Sequence, residues 1–209
     1  MTIIEETEAR VVRLELGALS EAKAILYRAY KNEPTFKYLF DSSRPGYDQR
    51  VRATIRELIN LHFSNKQDVI GLAIDSHLIA VALVGSPHIR LSLSKQLNWR
   101  MRMILTAGFA STARYIDYHT QIHECLTKGQ HHELPLLGVD INYRNKGYGK
   151  QLMVALERIC KENPRSVGIA LDTGNSRYVE FFSRLGYKTV GNVQLGDISE
   201  SVLFKSCLN

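Results

Sequence analysis

Hydrophobic and polar positions along the chain alternate first with a period of two and then with a period near 3.6. Val12, Leu14 and Leu16 point one way and Arg13 and Glu15 the other, which predicts a half-buried strand ended by Gly17. Ala22, Ile25, Leu26, Ala29 and Tyr30 then recur at helical spacing behind Ser20, a residue suited to capping that helix. Asn32, Pro34 and the stretch 41–46 predict a loop. A second helix follows, with Val51, Ile55, Leu58, Ile59 and Phe63 on one face. Residues 69–74 and 78–84 are apolar runs separated by Asp75-Ser76-His77, the pattern of a hairpin. From 88 to about 128 the period is helical, with a break expected near Gly108. A strand over 132–139 leads through a loop into a helix whose apolar face is Leu152, Met153, Leu156, Ile159 and Cys160, stopped by Pro164. Strand 166–172, helix 175–185 and two strands around Gly196-Asp197 finish the chain. Strands interleaved with helices and closed by hairpins predict an α/β fold, a mixed sheet covered by helices.

Length and composition narrow the class. The chain has 209 residues, 44% of them hydrophobic and 23% charged, the balance of a globular protein rather than a disordered or membrane-spanning one. The first residues, MTIIEETEAR, lack the basic-then-apolar order of a secretory signal. Cys125, Cys160 and Cys207 are odd in number and widely spaced, which suits free thiols in a reducing cytoplasm. A net charge of +6 permits an anionic ligand without naming one. No repeat or linker is visible, so one domain over 1–209 is expected, with a helical insertion at about 88–130.

The segment richest in chemistry is Leu134-Pro-Leu-Leu-Gly-Val-Asp-Ile-Asn-Tyr-Arg-Asn-Lys-Gly-Tyr-Gly-Lys150. A buried strand runs into a basic loop and straight into an amphipathic helix. Such a junction presents unpaired backbone N–H groups at the positive end of the helix dipole. Gly147 and Gly149 allow close approach, and Arg144, Lys146 and Lys150 add charge, so the junction suits an anion such as a pyrophosphate. It is not a P-loop, because Gln151 follows Lys150 where Ser or Thr belongs and Arg144 stands in place of the first glycine. Nor is it the dinucleotide fingerprint, because Leu152 replaces the third glycine.

Arg144-x-x-Gly147-x-Gly149 resembles the signature loop of the GNAT superfamily of N-acetyltransferases, and Leu-Leu-Gly-Val-Asp resembles the strand before it. Asn175-Ser-Arg-Tyr-Val-Glu-Phe-Phe-Ser-Arg-Leu-Gly-Tyr187 is similar to that superfamily's second motif, at fitting distance. The likeness is specific over 132–190 and follows element order over 9–85. It implies the GNAT fold, a mixed, mostly antiparallel central sheet flanked by helices and splayed between its fourth and fifth strands. It also implies acetyl-CoA as co-substrate. Arg144, Asn145, Lys146, Gly147, Tyr148, Gly149 and Lys150 would cradle the pyrophosphate. Leu137, Gly138 and Val139 would run beside the pantetheine arm, and a neighbouring N–H would polarise the thioester. Asn175 matches the family asparagine that reaches toward the cofactor, and Phe182 would pack on it.

An amine acceptor must lose a proton before it attacks. Alternation puts residues 131, 133, 135, 137 and 139 on one strand face. Glu133 lies six residues before Val139, matching the catalytic glutamate of the superfamily's histone acetyltransferases and a catalytic histidine of its arylalkylamine members. His131 shares that face. Glu133 is therefore the first candidate base and His131 the second, against the plain reading of a solvated strand entrance. The family's usual general acid is a tyrosine where this chain has Phe182. Tyr178, one turn earlier, is a substitute acid or a packed aromatic, and water is the other proton source.

His119 and His123 are spaced i, i+4, but Thr120 replaces the glutamate of H-E-x-x-H and no third ligand is specified, so solvated histidines and no metal are expected. Segment 90–114 mixes Arg90, Lys95, Arg100, Arg102 and Arg114 with Leu91, Leu93, Leu97, Trp99, Met101, Met103, Ile104 and Leu105. Membrane or acidic-partner contact is conceivable there, and packing on the sheet or lidding the acceptor site is expected instead. The resulting expectation is an acetyl-CoA-dependent N-acetyltransferase of a small primary amine, by direct attack. The length before the motif strand, and Leu-Gly-Val-Asp itself, are similar to acetyltransferases of the puromycin-modifying kind. No nucleic acid and no stable membrane association are expected, and a homodimer is open. The alternative is an acyl-CoA-binding protein without turnover, kept open by Phe182.

Overall fold

The computed structural model describes residues 8–87, 92–126 and 129–207. The expectations on the first seven residues and on Arg90 and Leu91 lie outside them. β1 (Arg10–Arg13), β2 (Asp68–Ile74), β3 (His77–Val84) and β5 (Leu137–Val139) form one antiparallel sheet in the order β1-β2-β3-β5. β4 (His132–Glu133), β6 (Gly168–Thr173), β8 (Ile198–Ser206) and β7 (Lys188–Leu195) form a second in the order β4-β6-β8-β7, with only β4 and β6 parallel. Helices α1 (Leu19–Tyr30), α2 (Pro34–Leu39), α3 (Tyr47–Ser64), α4 (Leu93–Ala107), α5 (Phe109–Cys125), α6 (Tyr148–Glu162) and α7 (Ser176–Arg184) cover them.

Sequence and structure diverge most usefully at 132–139, read as one strand. The chain stays extended there, and odd positions 131 to 139 are half-exposed while the even ones are buried, so the predicted face holds. The partner changes midway. His132 and Glu133 pair with Ile169 and Ala170, and Leu134 N–H still donates to Ala170 C=O at 3.0 Å. After Pro135, which has no N–H to give, Leu137–Val139 pair with Ala80–Ala82 of β3. Gly85 and Glu133 exchange both backbone hydrogen bonds, at 2.7 and 3.1 Å, and stitch the two sheets at the base. Above that stitch the sheets part, and the expected splay is the gap between them.

Smaller corrections have local causes. β1 runs over Arg10–Arg13, not 12–16, because a 3-10 turn at Leu16–Ala18 follows at once. That turn feeds α1 at Leu19, so Ser20 lies inside the helix and no side chain caps it. In place of the loop expected from Asn32, Pro34 at a first-turn position starts α2, which buries Phe36 and Leu39. Six residues are too few for a period to show. The β2–β3 turn is tighter than expected: Asp75 and Ser76 both take positive φ, 47° and 68°, as a two-residue hairpin turn needs. The helix break at Gly108 is found where expected.

The expectation for 90–114 holds in part. α5 covers the splay through Tyr115, Tyr118 and Ile122. α4 instead packs on α3, burying Met103 and Ala107 and pairing Arg102 with Glu57 at 2.7 Å. Leu93, Leu97, Met101 and Leu105 face outward, Leu93 at 78% and Leu105 at 77% exposure. No helix is long and apolar enough to cross a membrane among the described residues. The three cysteines are free thiols, as expected.

β6 packs so tightly on β8 that one position tolerates no side chain. A Cβ at Gly168 would lie 2.4 Å from the Lys205 carbonyl oxygen and 2.3 Å from Phe204 Cζ. Gly168→Ala should destabilise the fold by roughly 1–3 kcal/mol. A thermal melt would show this as a lowered midpoint, and an unchanged midpoint would contradict the packing of β6 on β8.

Candidate active-site cleft

The splay opens a cleft of about 800 Å³. One wall is Leu137–Val139, and its hydrogen-bond parity decides what it offers. Leu83 N–H donates to Leu136 C=O, Gly138 pairs with Val81, and Asp140 N–H donates to Ile79 C=O, so even positions serve the β3 ladder. Leu137 and Val139 turn their backbone groups into the cleft. Two of these are already used: Leu137 N–H donates to Tyr30 Oη at 3.0 Å, and Val139 C=O accepts from Arg144 Nε at 3.2 Å. The Leu137 carbonyl and the Val139 N–H remain directed across the gap. Gly138 is needed for packing from behind, where a Cβ would come within 3.0 Å of Ala29 Cβ.

The loop after β5 is held from below. Asp140 accepts from Asn142 N–H at 3.0 Å through Oδ1 and pairs with Arg28 through Oδ2. Asn145 and Gly147 take left-handed φ of 60° and 85°, which swings the chain into α6. No side chain caps α6, so its first-turn N–H groups lack a protein acceptor and carry the positive end of its dipole. Arg144, Asn145, Gly147, Gly149 and Lys150 line the cleft. Lys146 and Tyr148 do not; Lys146 sits over the Tyr143 ring at 5.5 Å and Tyr148 packs edge-on against Tyr143. The surfaces that meet a long anionic thioester are therefore present: uncapped amides for the pyrophosphate and a strand edge for an amide-bearing arm.

α7 closes the far side. Asn175 lines the cleft while its Oδ1 accepts from Arg177 N–H at 3.1 Å, so it serves as the helix cap. Glu33 lies beside Asn175 and Arg144, its carboxyl raised by burial. Phe182 is buried against Phe181 and Tyr187, and Tyr178, one turn before it, lines the cleft. Burial raises the Tyr178 hydroxyl above its ordinary value, which keeps it protonated.

At the other end the cleft turns acidic. Glu133 is half-buried with His131 Nε2 at 3.4 Å and His123 Nδ1 at 3.6 Å from its Oε1. Burial alone would raise its carboxyl, but His131, His123 and His119 outweigh that and hold it below the ordinary carboxylate value. Glu133 is thus ionised at neutral pH and ready to accept a proton. His131 stands behind it, off the cleft wall. Deeper in, Tyr118 O–H donates to Asp172 and lies 3.5 Å from Glu200, whose other oxygen accepts from Thr35. Burial, then the neighbouring Asp172, pushes Glu200 up to about 9, and burial raises Asp172 too. Tyr30, expected only on a helix face, joins the cleft lining, as do Glu33, Thr35, Tyr118, Asp172 and Glu200, which the sequence did not single out. The one available signal was charge at inward-facing strand positions, Asp172 in β6 and Glu200 beside Val202 in β8.

Residues 106–187 match the family model of the GNAT acetyltransferases. Solved structures share the whole fold. A structure described as histone acetyltransferase HPA2 and related acetyltransferase from Corynebacterium glutamicum matches with a TM-score of 0.68 and 19% identity, covering 94% of this chain and 95% of that one. The polyamine N-acetyltransferase of Drosophila melanogaster, described as forming N-acetylagmatine, matches at 0.63 and 13%, covering 95% and 100%. Arylalkylamine N-acetyltransferase 2 of Aedes aegypti matches at 0.62 and 15%, covering 96% and 100%. No curated protein matches the chain in sequence.

Proposed function

We propose that this chain, which carries a GNAT acetyltransferase match over residues 106–187 on the GNAT fold, moves an acetyl group from acetyl-CoA to a small primary amine by direct attack. The observation that carries this reading is the polarity of the one cleft. Uncapped amides with Arg144 and Lys150 stand at one end, where Glu33 is the one acid beside them among the described residues; Glu133, Asp172 and Glu200 stand at the other, and the Val139 N–H lies between. An anionic co-substrate and a cationic acceptor would enter from opposite ends and meet at that N–H. The names of the Drosophila and Aedes structures agree with a small amine acceptor.

Acetyl-CoA supplies the acetyl group as a thioester. The amides of 144–150 hold its pyrophosphate, and the Leu137 carbonyl accepts from the arm. Val139 N–H stabilises the negative charge that builds on the acyl oxygen as the C–N bond forms. Glu133 accepts the amine proton, directly or through one water. The C–S bond then breaks and the thiolate takes a proton from Tyr178 or water. The acidic floor of Asp172, Glu200 and Tyr118 suits an acceptor with positive charge. Mass spectrometry of primary amines incubated with acetyl-CoA and the protein should find the N-acetyl product. Unchanged amines throughout, with acetyl-CoA bound, would favour the alternative of a binding protein without turnover.

Phe182 makes the leaving-group proton a separate question. A CoA thiol has a pKa near that of cysteine, about 8.5, so protonating it gains little. If Tyr178 donates, Tyr178→Phe should lower kcat several-fold with acetyl-CoA affinity unchanged, because only the hydroxyl is lost. Phe182→Tyr should then add nothing. Steady-state kinetics of both variants decide: an unaffected Tyr178→Phe removes Tyr178 as the acid and leaves water.

A further inference from the structure

We propose that His119, His123 and Glu133 form a binding site for zinc or a similar divalent cation in the cleft wall, and that filling it takes Glu133 out of acetyl transfer. The first half stands on geometry alone; the second rests on Glu133 being the proton acceptor.

His119 and His123 are one turn apart on α5, so both rings leave the same helix face. Their rings meet edge to face with centroids 4.3 Å apart. Their Nε2 atoms are 3.3 Å apart. Two nitrogens each bound to zinc at about 2.0–2.1 Å in a tetrahedron stand about 3.3 Å from each other. The His123 nitrogen nearest Glu133 is Nδ1, at 3.6 Å, so an ion shared by all three residues needs the His123 ring to turn and present one nitrogen to both partners. The sequence pattern lacked a third ligand. The fold supplies it from β4: one donor atom each from His119, His123 and Glu133 lies within 4.8 Å of the others.

Two imidazoles and one carboxylate with a fourth position open is a set that zinc accepts. Mg²⁺ and Ca²⁺ prefer oxygen donors and fit it poorly. His123 and Glu133 are partly exposed, so an ion has a way in from the cleft. Behind the carboxylate, the His131 side chain is only 9% exposed, and its Nε2 lies 3.4 Å from Glu133 Oε1. That nitrogen has no hydrogen-bond partner among the described residues. A buried imidazole aimed at a ligand carboxylate is the kind of support that orients metal ligands and strengthens binding. Binding would be reversible, with the ion held on the oxygen that otherwise accepts the amine proton.

The test begins with Zn²⁺ alone. Calorimetric titration of the chelator-treated protein should show one ion per chain, and Co²⁺ should give the visible absorption of a four-coordinate site. His119→Ala and His123→Ala should each weaken binding by at least roughly 10-fold, with circular dichroism unchanged because both side chains reach the surface. No stoichiometric binding would overturn the site. So would binding that survives both substitutions, since the ion would then sit elsewhere, for instance on a cysteine. In the second arm, zinc should suppress acetyl transfer by the unaltered chain, a chelator should restore it, and the rate of His119→Ala, whatever its zinc-free value, should not fall further when zinc is added. Zinc bound at the site without loss of turnover would overturn the second half and count against Glu133 as the acceptor. A chain with no acetyl transfer at all would overturn the functional reading, while the binding arm would still decide the site.

Discussion

Gly147→Glu should abolish the stabilisation that acetyl-CoA gives the protein while leaving the apo fold in place. A ligand at about 100 times its Kd adds roughly 2.7 kcal/mol through mass action, which for a chain of this size is a rise in Tm of roughly 5–10 °C. Gly147 sits at φ 85° where α6 begins, and a Cβ there would meet nothing within 4 Å. The open space is the space the pyrophosphate needs, and a glutamate would fill it with bulk and negative charge. The left-handed backbone itself costs any other residue roughly 1–3 kcal/mol. Gly147→Ala is therefore the control: both variants should melt lower without ligand, and only the glutamate variant should lose the ligand-induced rise. A full rise in Gly147→Glu would mean that acetyl-CoA binds elsewhere or that this helix start does not hold it.

Glu133→Gln should lower kcat/KM by on the order of 100-fold near neutral pH. The substitution keeps shape and hydrogen bonding and removes the proton acceptor. The deficit should shrink as pH approaches the amine's own pKa, because free amine then needs no partner. A loss that is the same at every pH would make Glu133 a binding group. No loss would leave water as the acceptor, since His131 stands behind Glu133 and off the cleft wall.

What could be read in the sequence and what could not follow from a physical division. Signals carried by adjacent residues were legible. The glycine-marked start of α6, its apolar face, the stop at Pro164 and the break at Gly108 all sit where the structure has them. Even the face of 131–139 was correct, because alternation survives as long as the backbone is extended. The change of partner at Pro135 was not anticipated, although a proline inside a strand marks a lost donor and hence a ladder that ends. That exchange makes the cleft. The acidic floor was out of reach for another reason. Asp172 and Glu200 meet only because β6 pairs with β8, and Tyr118 and Thr35 arrive from helices at other points in the chain. The third member of the His119–His123 group was hidden in the same way. The outward face of α4 was misjudged because an apolar stripe predicts burial, and packing on α3 satisfies the opposite side of the helix.

Release of CoA thiol from acetyl-CoA, followed with a thiol reagent, tests the central claim most directly when primary amines are compared with their tertiary counterparts. The account predicts release that needs both the protein and a primary amine. It predicts none above background with a tertiary amine, which has no N–H to lose, and none with Gly147→Glu. Release that is indifferent to the amine, or saturable acetyl-CoA binding with no release across the panel, would contradict it.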